Sequence, residues 1–216
     1  MATAAPSTAA CYLPEDPSDL PLATVRKRAL RCEACPLYRL GTQTVFGDGA
    51  ADARVVFVGE QPGDQEDRAG KPFVGPAGKL LDEALATAGI DRATVYVTNA
   101  VKHFKWKPAG KRRLHQKSGA REIAACKPWL EAELKILRPA VVVALGATAA
   151  QVLMGPAFRV TRERGKPFAV PWAKIFFATV HPSSILRGPS EDREANLGLL
   201  VADLKKVASH RAFRTS

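Results

Sequence analysis

The chain has 216 residues, 46% of them hydrophobic, which suffices for one sizeable core and sets a single domain as the expectation. Its 32 Lys and Arg exceed the 21 Asp and Glu for a formal net charge of +11, favouring a polyanionic partner, nucleic acid first, over an acidic substrate. No stretch approaches the roughly 18 apolar residues of a membrane span, and no charged-then-apolar leader opens the sequence, so a cytoplasmic protein without membrane contact is expected.

Residues 1–20 are rich in Ala, Pro, Ser and Thr without an apolar period, and predict a disordered lead-in ahead of a domain over 21–216. Ala23 to about Ala34 suits a helix. Arg54 to Gly59 is a short apolar run closing on Gly, as a buried parallel strand does. Comparable runs at 94–98, 140–145 and 175–180 are separated by helical patterns near 77–88, 119–137 and 146–154, and 190–209 reads as a closing amphipathic helix. This alternation predicts an α/β protein, a parallel sheet covered by helices on both faces. Ligands of such sheets bind beyond the carboxyl ends of the strands, which brings Gly59-Glu60-Gln61-Pro62-Gly63-Asp64, Asn99 and His181-Pro182-Ser183-Ser184 to one cleft.

Residues 102–121 form a basic loop in which Lys102, Lys105, Lys107, Lys111, Arg112, Arg113, Lys117 and Arg121 occur without a carboxylate. It is a phosphate grip or a solvated surface loop. Cys32 and Cys35 stand in a C-x-x-C pair, Cys126 adds a third thiol, and the fourth ligand of a metal centre is either Cys11 or His103, with His103 preferred over a residue of the lead-in. A reducing compartment disfavours structural disulfides. Soft thiolates with one imidazole suit zinc and an iron-sulfur cluster alike. The glycines of GEQPGDQEDRAGKPFVGPAG let backbone N–H groups approach a ligand, yet neither a phosphate loop nor a dinucleotide fingerprint is present, so a nucleotide cofactor is not supported. Phe73 in that segment either stacks on a planar base or fills the core.

GEQPGDQED followed by PFVGPAG, Asn99 closing a strand, and HPSSILR together resemble the motif set of the family 4 uracil-DNA glycosylases. KRRLH in the basic loop is similar to the KRRIH loop of their UdgX subgroup, with Leu114 a conservative departure. The likeness spans about Cys32 to HPSSILR. It implies a three-layer α/β/α fold around a central four-stranded parallel sheet, and a structural 4Fe-4S cluster on Cys32, Cys35, His103 and Cys126. It also implies uracil-containing DNA, single-stranded or duplex, as substrate and free uracil as product; a monomer is expected.

In that scheme Glu60, His115 and His181 are catalytic, Gly59, Gln61, Asp64, Phe73 and Asn99 line the uracil pocket, and Lys111, Arg112, Arg113, Ser184 and Arg187 hold DNA. His181 would bond the uracil carbonyl as negative charge builds there. Phe73 would stack on the flipped base while Asn99 matches N3–H and O4, an order that cytosine inverts. His115, kept neutral by Lys111, Arg112, Arg113 and Lys117 and oriented by Glu60, would attack the sugar carbon and stay attached to it. Two other readings stay open: a turning-over family 4 glycosylase in which His115 only grips DNA, and a non-catalytic metal-containing DNA-binding protein.

Overall fold

Three five-residue strands with every residue buried form the centre of the molecule, because an apolar run flanked by turns is satisfied only inside a sheet covered on both faces. The computed structural model describes residues 8–214. In chain order the elements are α1 (Leu22–Ala29), β1 (Asp48–Gly49), β2 (Val55–Gly59), α2 (Asp64–Ala69), α3 (Pro76–Thr87), β3 (Val95–Asn99), β4 (Trp106–Ala109), β5 (Arg112–His115) and α4 (Ala120–Leu137). They continue as β6 (Val141–Leu145), α5 (Gly146–Met154), α6 (Val160–Glu163), β7 (Phe168–Val170), β8 (Ala173–Thr179), α7 (Pro182–Arg187), α8 (Arg193–Ser209) and α9 (Arg211–Arg214).

The main sheet runs β1-β3-β2-β6-β8-β7. Its inner four strands, β3, β2, β6 and β8, are mutually parallel as expected, but β1 and β7 add antiparallel edges and make the sheet six-stranded. These edges span two and three residues, too short to carry a readable period. Side chains alternate across the sheet. Val55, Phe57, Val95, Val97, Val141 and Val143 pack with Leu81 and Leu85 of α3 and Leu200 and Leu204 of α8. Val56, Val58, Tyr96, Val142 and Ala144 face Leu130 and Leu134 of α4 and Ala149 and Ala150 of α5. Helices therefore cover both faces, the α/β arrangement expected.

Several local expectations are revised. Helix α1 ends at Ala29 rather than near Ala34, because the Cys32 N–H turns back to the Ala29 carbonyl at 3.0 Å. The basic loop contains an antiparallel hairpin, β4 against β5, turning at Gly110 with φ +58. Both the GDQED and HPSSILR segments contain short helices, α2 and α7. Residues 1–7 of the expected disordered lead-in lie outside the described residues, while within 8–20 Ala9 is buried and Tyr12, Leu13 and Leu20 pack against the domain. There a 3-10 turn, Ala9–Tyr12, buries Ala9 and sets the Tyr12 ring 6.0 Å from that of Trp129. No helix among the described residues is long and apolar enough to cross a membrane.

Candidate active site

The parallel register aligns Gly59 with Asn99 and Leu145 with Thr179, so four strands end together and their following loops share one edge of the sheet. The centre of that edge is Gly59. A Cβ at this position would collide with Asn99 Oδ1 and lie 2.8 Å from Phe73 Cζ and 3.4 Å from His181 Nε2. Three residues from separate segments thus converge on one glycine. Phe73 is buried and holds φ +57, a left-handed conformation that costs a bulky residue about 1–2 kcal/mol. Glu66 supports the bend: its Oε2 accepts the Gly63 N–H at 3.1 Å and its Oε1 the Gly75 N–H at 2.8 Å. Gly78 lets the Phe73 carbonyl approach α3, where any Cβ would strike it. Phe73 and His181 stack, with ring centroids 6.1 Å apart and planes 25° apart.

His181 caps α7. Its Nδ1 accepts the Ser183 N–H at 3.1 Å, so the neutral ring carries its proton on Nε2, the nitrogen turned toward Gly59. Burial, more than any neighbouring charge, lowers its pKa to about 4. The Asn99 side chain makes no hydrogen bond among the described residues, leaving an amide donor and acceptor for a ligand. A planar pyrimidine edge presents that same pair of groups.

Next to Gly59 in the chain, Glu60 accepts the Ser118 N–H at 3.2 Å and the Thr148 hydroxyl at 2.7 Å. Its charge favours protonation of both His115 and His181, which places the carboxylate near each ring. Glu60 was expected to accept a His115 N–H; instead Gln61 contacts that ring, with 2.6 Å between the two Nε2 atoms. The Gln61 amide is oriented by its other bonds, since Oε1 accepts the Ser118 hydroxyl at 2.9 Å and the Lys105 N–H at 3.2 Å while Nε2 donates to the Gln116 carbonyl at 2.7 Å. It therefore donates to His115, whose Nε2 holds the lone pair. Burial is the largest cause of the lowered His115 pKa, with Arg187 assisting; the basic loop was expected to supply this effect and does not.

Lys111 and Arg112 of the hairpin are exposed, as are Ser184 and Arg187 of α7. Arg113 departs from the expected phosphate grip. Its guanidinium pairs with Asp64 and with Asp67 Oδ2 at 2.6 Å and lies over Phe104 and Trp106 at 5.3 and 5.4 Å. The two ion pairs pin the hairpin to α2. Asp64, expected in the pocket, is turned to Arg113 and Arg68 for the same reason. Ser118, Thr148 and Glu66 escaped sequence reasoning because an isolated Ser, Thr or Glu carries no spacing signal; Glu66 at least lies inside GDQED.

Cys32, Cys35 and Cys126 are buried in one cluster with Trp129 and Val25. Burial raises the Cys35 pKa and pushes that of Cys126 up to about 12, and the thiols disfavour one another's ionisation. Among the described residues no group of three His, Cys, Asp or Glu could hold a single metal ion. A cubane cluster spaces its ligands more widely than one ion does, and the donors suit it, since binding to a cationic centre would draw the protons from buried thiols that otherwise stay neutral. Cys126 Sγ already accepts the Lys102 N–H at 3.2 Å. His103 is buried with its pKa lowered to about 4, again by burial. Thr44 donates its hydroxyl to the Ala29 carbonyl and so accepts from His103 Nε2 at 3.0 Å, which leaves the His103 Nδ1 lone pair free to ligate. Cys11 is exposed and lies outside this cluster.

The profile of the uracil DNA glycosylase superfamily matches residues 46–205, which include every element from β1 to β8 and the convergence on Gly59. The chain belongs to the uracil DNA glycosylase superfamily. Its relatives include the type-4 uracil-DNA glycosylase of Thermotoga maritima, 40% identical over 186 residues that cover 86% of this glycosylase and 92% of that protein. The type-4 enzyme of Archaeoglobus fulgidus is 35% identical over 193 residues, covering 86% and 91%. This glycosylase is therefore related to the type-4 group over most of its length.

Proposed function

We propose that this DNA glycosylase excises uracil from DNA, as one domain, and then holds the abasic sugar covalently on His115. The observation that carries the reading is the Gln61–His115 contact at 2.6 Å, which marks the Nε2 lone pair of a neutral imidazole beside the Gly59 pocket. A base in duplex DNA must be flipped to reach such a pocket. Phe73 would then cover one face of the ring, and the free Asn99 amide would meet N3–H and O4. As the glycosidic bond breaks, its electron pair leaves with uracil, and the His181 Nε2–H stabilises the developing oxyanion. The His115 Nε2 lone pair exchanges its amide donor for the vacant sugar carbon, and the Glu60 carboxylate faces the cationic ring that results. Lys111, Arg112 and Arg187 supply the phosphate contacts.

The same reading gives Cys32, Cys35, Cys126 and His103 a 4Fe-4S cluster. When bound, it would tie the end of α1 and the start of the hairpin segment to α4, and no step of excision is routed through it.

His115→Ser tests the proposal. Wild-type protein mixed with uracil-containing oligonucleotide should give a band stable to heat and detergent on a denaturing gel, and uracil-free DNA should give none. His115→Ser should lose the band and cleave repeatedly, because His181 and Glu60 remain. A persistent band with His115→Ser refutes His115 as nucleophile; turnover without any wild-type band supports the ordinary glycosylase instead.

A further inference from the structure

Lys102 has 0% exposure, as does its partner Glu133 on α4. Its ammonium donates to Thr98 Oγ1 at 2.6 Å, to the Asn99 carbonyl at 2.8 Å and to Glu133 Oε2 at 2.5 Å, which uses all three of its protons. Glu133 is equally satisfied: Oε1 accepts from Tyr96 at 2.9 Å and from the Gly47 N–H at 3.0 Å, and the Thr98 hydroxyl lies 3.0 Å from both oxygens. Desolvating two charges costs several kcal/mol per ion, and a well-packed apolar pair often does as well or better. Stability alone therefore does not explain the pair.

Its position does. The Asn99 carbonyl is held by the Lys102 ammonium on one side of the peptide, and on the other the Ala100 N–H donates to the Gly59 carbonyl at 2.9 Å. That peptide is fixed on one side of Asn99 and the β2–β3 ladder holds the strand on the other, so the side chain is aimed and its Oδ1 lies over Gly59. Through its backbone N–H, Lys102 also holds Cys126 Sγ. Cys126 and Glu133 are seven residues apart on α4, two turns along one face, so both ends of Lys102 are fastened to one helix. Without the amine, the 99–100 peptide keeps only the Gly59 bond and can pivot.

We infer that Lys102, clamped by Glu133, is a positioning residue for base recognition, fixing the peptide that aims Asn99 and joining it mechanically to the buried thiol cluster. This rests on Asn99 as the reader of uracil. A misplacement near 1 Å costs about 100-fold in rate.

The test uses the full-length, iron-loaded protein. Lys102→Met combined with Glu133→Gln removes both charges at nearly constant volume, so no buried charge is stranded. Single-turnover excision should fall about 100-fold and inhibition by free uracil should weaken at least about tenfold, with binding to uracil-free DNA and iron content at wild-type levels. Thr98→Val removes a hydroxyl from the same network but leaves the Asn99 bond; it should lower Tm without moving uracil inhibition. Should the double variant not fold, Glu133→Asp decides, because the shortened carboxylate draws the ammonium away from Asn99 and should weaken uracil inhibition severalfold. Wild-type excision and uracil inhibition in whichever variant folds, alongside an inactive Asn99→Ala, overturn the positioning role. A fully active Asn99→Ala would instead overturn the base-reading assignment beneath it.

Discussion

Gly59→Ala inserts one methyl group where three site residues meet. The added Cβ collides with Asn99 Oδ1 and stands 2.8 Å from Phe73 Cζ, and neither neighbour can yield freely. The Asn99 peptide is held by Lys102, and Phe73 is held in its left-handed conformation between Gly63 and Gly75 by Glu66. Overpacking of this kind costs about 1–3 kcal/mol, which for a domain of this size lowers Tm by roughly 2–12 °C. Function should suffer more, because the methyl occupies the floor against which the base would lie. A fall in excision of at least about 100-fold corresponds to about 2.7 kcal/mol at the transition state. Gly198→Ala is the matched control. Gly198 lies in α8 with nothing within 4 Å of its Cβ position, so alanine there should stabilise by about 0.5–1 kcal/mol and leave excision untouched. Thermal melts and a gel time course on uracil-containing oligonucleotide measure both variants. A folded Gly59→Ala with wild-type excision would mean that the base does not bind over Gly59.

Arg113→Ala should destabilise the fold by about 3 kcal/mol, since Asp67 is fully buried and loses its cation, and should lower adduct yield through a loosened hairpin. Affinity for uracil-free DNA and its salt slope should hold; a slope reduced by about one would return Arg113 to the phosphate contacts. The His181 pKa of about 4 lies below its ordinary value, so the stability it confers is complete above about pH 6.5 and is lost as pH falls toward 4, for a total of about 3 kcal/mol. His181→Asn keeps a capping side chain, and its Tm should decline less steeply than that of wild type across that window; equal slopes would place the titration elsewhere. Cys126→Ala should abolish visible absorption and bound iron, and Cys11→Ala should change neither. Full iron retention in Cys126→Ala would refute the ligand set.

The four central strands are legible in the sequence as short apolar runs, and the helices α3, α4, α5 and α8 as apolar stripes at helical spacing, because each must bury those side chains. The convergence of Phe73, Asn99 and His181 on Gly59 is legible through their motifs and through the rule that strand ends share one edge. The partners of these residues are not. Glu60 finds Thr148 across 88 positions, His115 finds Gln61 across 54, and Lys102 finds Glu133 across 31. No local pattern encodes such pairs. Arg113 shows the same limit from the other side: among basic neighbours it reads as one more phosphate contact, and only the packing of β5 against α2 turns it inward to two carboxylates. The sequence by itself determined which segments are buried and which motifs meet at one edge. Tertiary structure decided which charges neutralise one another and which nitrogen of His103 and His115 keeps its lone pair, because both depend on contacts between segments far apart in the chain.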